Sequence, residues 1–143
     1  MKIRIELLGD LRIVRGRNII THFRTRKTSI LLAYLAHYRD RMHPREVLVE
    51  LLWPGCEEHR GRQSLSTALS SLRHQLEPPG IPRGTVILSD RFSIGLNPES
   101  VTTDTSEFEQ AIQKANLSHS EDEEIEFLSE AVRLYRGEFL SGY

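Results

Sequence analysis

Arg60, Gln63, Thr67, Ser70 and His74 recur at steps of three and four, the spacing that lines side chains along one face of an α-helix. Arg62, Ser66 and Arg73 flank that line on one shoulder, and Ser64 and Ser71 on the other. Arginine, glutamine, serine, threonine and histidine supply donors for phosphate oxygens and for base edges. No carboxylate joins this face until Glu77, whereas a helix face turned outward for solubility usually mixes Glu with Lys in i,i+4 pairs. The chemistry on offer is recognition of a polyanionic duplex, and the bland alternative is a solvated face that happens to be basic.

A helix over residues 60–77 must carry these side chains, and something must hold it. Leu65, Leu69, Leu72 and Leu76 recur at steps of four, three and four, which at about 100° per residue makes one apolar stripe opposite the polar face. That stripe is expected to be buried, aiming Arg60 to His74 outward.

Other chemistries lack their residues. Cys56-Glu57-Glu58-His59 has a Cys-x-x-His spacing, but no second pair of ligands follows to complete the set of four that a structural zinc needs. Serine and histidine do not fall in a nucleophile motif, and no P-loop is present. Glu121 to Glu124 lack the alternation and central glycine of a calcium loop and read as a helix's first turn. No catalytic residue, metal or cofactor is expected.

The net charge of −1 conceals a division: residues 1–96 hold 16 Lys and Arg against 9 Asp and Glu, a surplus of +7, while residues 97–143 hold 3 against 11, a deficit of −8. A basic part facing a polyanion and an acidic part facing something else would be charged this way. The 143 residues suffice for one domain and part of another. No apolar run is long enough to span a membrane and no secretory leader is evident, so a cytoplasmic protein is expected. Cys56 is the single cysteine and has no partner for an internal disulfide.

Along the chain, Ile3, Ile5 and Leu7 alternate with polar residues, Leu11 and Ile13 resume the alternation after Gly9-Asp10, and 18–23 could add a third strand. An N-terminal antiparallel sheet is expected. Thr25 can cap a helix buried through Leu31, Tyr34, Leu35 and Tyr38. His43-Pro44 is expected to open a second helix, with Pro44 in its first turn and Val47, Leu48, Leu51 and Leu52 as its buried face. Trp53 reads as a core anchor, Gly55 to His59 as a loop before the third helix, and 85–89 with 92–96 as a hairpin around Asp90-Arg91, Phe92 packing inward. Three helices followed by a hairpin describe a winged helix-turn-helix. Residues 97–103 read as a linker. Ser106 with Glu109 and Ser120 with Glu123 form capping boxes for two further helices, whose apolar positions are Phe108, Ala111, Ile112 and Ala115, then Ile125, Leu128, Val132 and Tyr135. The class is α+β, with residues 1–97 as the DNA-binding domain and 98–143 as the start of an all-α, TPR-like domain. One helical hairpin buries little by itself and is expected to lean on the first domain or on helices absent from this chain, and the ending at 139–143 is read as a truncation.

The runs HPREVLVELLWPG, RGRQSLSTALSSLRHQLE and TVILSDRFSIGLN, with IRIELLGDLRI, DTSEFEQAI and AVRLYRGEFLSG around them, resemble the OmpR/PhoB-type winged helix of the Streptomyces antibiotic regulatory protein (SARP) family and the start of the bacterial transcriptional activation domain that follows it there. The resemblance implies a transcriptional regulator, read as an activator, whose third helix enters the major groove and whose wing reaches the adjacent minor groove. It also implies contact with RNA polymerase, at the 55–59 loop among other places, and a homodimer on DNA. The wing of this family usually carries glycine near its tip, which Ser89-Asp90-Arg91-Phe92 lacks.

Arg60, Arg62 and Arg73 are the phosphate candidates, helped by Ser64 near the helix start, where free N–H groups suit an anion. Gln63, Thr67, Ser70 and His74 are the groove-facing candidates, Ser66 on the shoulder is a further DNA-contact candidate, and Arg91 is the minor-groove candidate on the wing. Arg24, Arg26 and Lys27 before the first helix, and Arg45 at the second, could touch the backbone or simply be solvated. The competing reading is a protein-interaction module on a winged-helix scaffold that binds no DNA, since fold alone does not settle function.

Overall fold

A computed structural model describes residues 2–143. Its elements run β1 (Ile3–Glu6), β2 (Arg12–Arg15), β3 (Asn18–Ile20), α1 (Arg26–His37), β4 (His43–Pro44), α2 (Arg45–Leu52), α3 (Glu58–Leu76), β5 (Ile87–Ser89), β6 (Ser93–Leu96), β7 (Val101–Thr103), α4 (Asp104–Asn116) and α5 (Glu121–Leu134). The architecture is α+β, as expected. Among the described residues no helix is long and apolar enough to cross a membrane. The chain divides into two compact units, one built chiefly of His22–Val101 and the other of Arg4–Thr21 with Thr102–Tyr143.

In the first unit, Thr25 caps α1 as expected, its hydroxyl accepting from the Thr28 N–H, and Leu31, Leu32 and Leu35 are fully buried. His43-Pro44 does not open α2. It pairs with β6, His43 opposite Ile94 and Pro44 opposite Ser93, and the helix starts at Arg45. Proline's fixed φ suits either role, and a ψ of 136° places Pro44 in the extended one. The buried face of α2 is also narrower than expected. Leu48 is buried, but Val47 is 45% and Leu51 54% exposed. Two adjacent apolar stripes, Val47 with Leu51 and Leu48 with Leu52, competed for the core. The choice follows from how α3 crosses α2: a Cβ on Gly61 would stand 2.5 Å from the Val49 Cγ1. Only glycine allows that approach, and it turns the Leu48–Val49 side inward.

The three-stranded sheet has the order β4-β6-β5, and its β5–β6 hairpin pairs Ile87 with Leu96 and Ser89 with Ile94. The expected hairpin is therefore present. Phe92 does not pack inward: it stands at the tip, 74% exposed.

In the second unit β1, β2 and β3 form an antiparallel meander, with Ile5 opposite Ile13 and Ile13 opposite Ile20, and β7 adds beside β1. Part of the expected linker is thus a strand, because Val101, Thr102 and Thr103 are all β-branched and suit a pleated surface. Thr103 then caps α4, accepting from the Ser106 N–H at 3.1 Å, so the helix begins before the expected Ser106 box. Asp104 is completely buried and its carboxylate accepts from the N–H groups of Leu7 (2.7 Å) and Leu8 (2.9 Å). Ser120 caps α5 as expected, accepting from the Glu123 N–H.

The α5 stripe is a further correction. Ala131 is buried and Phe127 and Leu134 are half-buried, whereas Ile125, Leu128, Val132 and Tyr135 are 55%, 39%, 74% and 51% exposed. Residues 127, 131 and 134 form a stripe of their own at helical spacing. After α5 the chain returns to its beginning: the Leu140 N–H donates to the Leu7 carbonyl (2.7 Å), and the Gly9 N–H to the Glu138 carbonyl (2.8 Å). Arg12 and Arg4 close the unit around Glu6, donating to its carboxylate at 2.7 Å each.

Candidate nucleic-acid interface

The leucine stripe of α3 is buried, with Leu65, Leu69, Leu72 and Leu76 at 1%, 6%, 0% and 0% exposure. Each such side chain contributes roughly 1.5 to 3 kcal/mol, so the helix's rotation about its axis is strongly set. Arg60, Arg62, Gln63, Ser66, Ser70 and His74 are consequently exposed, and Ser64 and Thr67 are half-buried. The residues facing outward line two open grooves. One, of about 590 Å³, is formed by Arg60, Gln63, Ser64 and Thr67 with Arg24, Lys27, Trp53 and Cys56. The other, of about 630 Å³, is formed by Gln63, Ser66, Thr67, Ser70 and His74 with Arg24. Arg24 and Lys27 therefore belong with the α3 face, and the Lys27 ammonium lies 5.7 Å from the Trp53 ring centroid. Trp53 is half-buried, more a groove wall than a core anchor.

The helix starts at Glu58, two residues before the expected beginning. This changes two readings. Ser64 sits in the second turn, where its N–H is no longer one of the free terminal donors. Glu58 also brings a carboxylate to the face, 3.6 Å from the Arg62 guanidinium. Both partners are well exposed, so solvent screens the pair and leaves it weak.

Arg73 leaves the candidate surface. Its side chain is 13% exposed, and its guanidinium donates to Glu77 (2.8 Å), to the Ile87 carbonyl (3.2 Å) and to the Ser89 hydroxyl. Glu77 in turn accepts from the N–H groups of Gly84 (3.0 Å), Val86 (2.8 Å) and Ile87 (2.9 Å). Burial pushes the Glu77 carboxyl up, but the hydrogen bonds from Ile87, Val86, Gly84 and Arg73 together outweigh it and hold the group below its usual value. Arg73 and Glu77 thus join α3 to β5 and set where the hairpin stands. The i,i+4 spacing of opposite charges was the signal in the sequence.

Arg91 is exposed at the hairpin tip, its guanidinium 6.0 Å from the Phe92 ring. The turn needs no glycine because the Asp90 carboxylate accepts from the N–H groups of Phe92 (2.8 Å) and Ser93 (2.7 Å). Those two bonds hold the Asp90 carboxyl below the usual range, slight burial opposing them and the charge of Arg45 assisting. Arg45 is a tip anchor as well: its guanidinium donates to the Asp90 carbonyl (3.0 Å) and its N–H to the Phe92 carbonyl (2.8 Å).

With the helix face and hairpin in place, the fold can be compared with known proteins. No family model matches the sequence, and no curated protein matches it. Among solved structures, that of Mycobacterium tuberculosis EmbR, a SARP-family regulator, in complex with a low-affinity phosphopeptide superposes with a TM-score of 0.80 at 26% identity, over 97% of this chain. The chain is a SARP-like winged-helix protein. It spans 37% of the EmbR chain. In SARP-like terms α3 is the third helix of the winged motif and β5–β6 its wing. Among the described residues no group of three or more His, Cys, Asp or Glu side chains could hold a metal ion.

Proposed function

We propose that this SARP-like chain is a sequence-specific DNA-binding transcriptional regulator, an activator acting in the cytoplasm. Helix α3 lies in the major groove and the hairpin at 85–96 in the adjacent minor groove. Residues 1–97 form the DNA-binding part and 98–143 the beginning of a bacterial transcriptional activation domain. The observation that carries this reading is the α3 face: leucines buried on one side, and Arg60, Gln63, Thr67, Ser70 and His74 on the other, sharing grooves with Arg24 and Lys27. Arg60 and Arg62, with Arg24 and Lys27, meet phosphates. Gln63, Ser66, Thr67 and Ser70 present groups suited to base edges. RNA polymerase is the expected protein partner, reached at the exposed turn between α2 and α3, and two copies bind repeated sites side by side.

The competing interaction-module reading draws support from the exposed apolar stripe of Ile125, Leu128 and Val132 on α5. A mobility assay on a random pool of duplexes decides between them. The DNA reading expects retention at low salt, steep loss with added salt, and enrichment of one sequence over successive rounds. Absence of retention at low salt overturns it in favour of the interaction module.

A further inference from the structure

Phe92 is the one large apolar side chain at the tip of the hairpin, and it is 74% exposed. It is not a loose end. Its N–H donates to the Asp90 carboxylate at 2.8 Å and its carbonyl accepts from the Arg45 N–H at 2.8 Å, so both of its backbone groups are held while its ring faces solvent. The Asp90 carbonyl is held from α2 by Arg45, and Ser89, at the start of the turn, is held from α3 by Arg73. An exposed phenyl ring forfeits its share of the hydrophobic effect. Turn positions are dominated by Gly, Pro, Asn, Asp and Ser, and here a phenyl ring stands beside such a residue, Asp90, at the tip. The ring projects from a tip whose ordering cost is already met before any partner arrives, with the cationic Arg91 beside it.

We infer that Phe92 is an apolar wedge: on a DNA duplex its ring enters the minor groove and partly unstacks one base step, with Arg91 held against the flanking phosphates or groove floor and Asp90 and Arg45 as positioning residues behind it. Apolar side chains pushed between base steps open the minor groove and kink the duplex, most readily at flexible pyrimidine–purine steps. The wing would then select its site by the ease of deforming one step as well as by contacts from α3. This rests on the DNA-binding reading above.

The test uses the whole chain and the duplex it enriches from a random pool, with 2-aminopurine replacing adenine at successive positions under the wing. Unstacking raises the fluorescence of that base. The wild-type chain is expected to raise it several-fold at one step. Phe92→Ala is expected to abolish the rise while still retaining the duplex, about tenfold more weakly, and Phe92→Trp to restore it. Asp90→Ala, which loosens the tip but keeps the ring, is expected to reduce the rise. Circular dichroism of each variant establishes that it is folded. Wild-type binding with no step brightened, or an unchanged signal in Phe92→Ala, overturns the wedge and leaves DNA binding standing. Failure of the wild-type chain to retain any duplex overturns the DNA reading and the wedge together.

Discussion

Arg73, in the last turn of α3, and Glu77, which caps the helix's C-terminal end, form a 2.8 Å ion pair with side chains only 13% and 2% exposed. The pair holds the wing: Glu77 takes three backbone donors from residues 84–87, and Arg73 takes the Ile87 carbonyl and the Ser89 hydroxyl. Removing either partner strands the other in a nearly dry site. Arg73→Ala and Glu77→Ala are each expected to destabilise the chain by about 3 kcal/mol, measured by urea unfolding.

The same carboxylate makes stability depend on pH. Its folded-state value lies below the ordinary 4.5, so its contribution is complete above the unfolded value and is lost as pH falls through the folded one. As pH falls below the ordinary 4.5, the wild-type unfolding midpoint should drop by more than that of Glu77→Gln, which has no proton to gain. Parallel curves for the two proteins would refute this.

The crossing of α2 and α3 depends on a missing side chain. Gly61→Ala would push a methyl group to 2.5 Å from Val49 Cγ1 and should cost roughly 1 to 3 kcal/mol. Trimming the neighbour should recover part of it. Gly61→Ala with Val49→Ala is expected to be more stable than the sum of the single effects by about 1 kcal/mol, as a double-mutant cycle would read it.

Asp104 is a test of the second unit. Asp104→Ala leaves the buried N–H groups of Leu7 and Leu8 without their acceptor, at a cost of about 1 to 3 kcal/mol for each. Hydrogen exchange should show those two amides losing protection before the amides of α3.

On DNA, exposed and buried arginines should part company. Arg60→Ala and Arg62→Ala are expected to weaken binding to all duplexes alike and to lower the salt slope by about one each. Gln63→Ala and Thr67→Ala should instead change the preferred sequence, at about 1 to 3 kcal/mol per base contact. Arg73→Ala at equal fraction folded should leave the salt slope unchanged.

What could be read from the residue order was whatever repeats locally. The leucine spacing of α3 is a helical period whose one inward solution also dictates which residues face out, so the exposure of Arg60, Gln63, Ser70 and His74 followed. The alternation of Ile3, Ile5 and Leu7, the caps at Thr25 and Ser120, and the hairpin flanking Asp90-Arg91 were legible for the same reason: each is settled within a few residues. Tertiary structure decided between choices that local pattern leaves equal. Helix α2 offered two apolar stripes, and the close pass of Gly61 by Val49 selected one. Helix α5 likewise turned the half-buried Phe127 and the buried Ala131 inward in place of Ile125 and Val132. Arg73 has the same type and spacing as a phosphate contact, and only the arrival of β5 beside α3 made it a strut. Phe92 read as core by its hydrophobicity, yet the turn drawn by Asp90 leaves it no interior to enter. Burial is a property of what stands opposite a side chain, and that partner is supplied by distant parts of the chain.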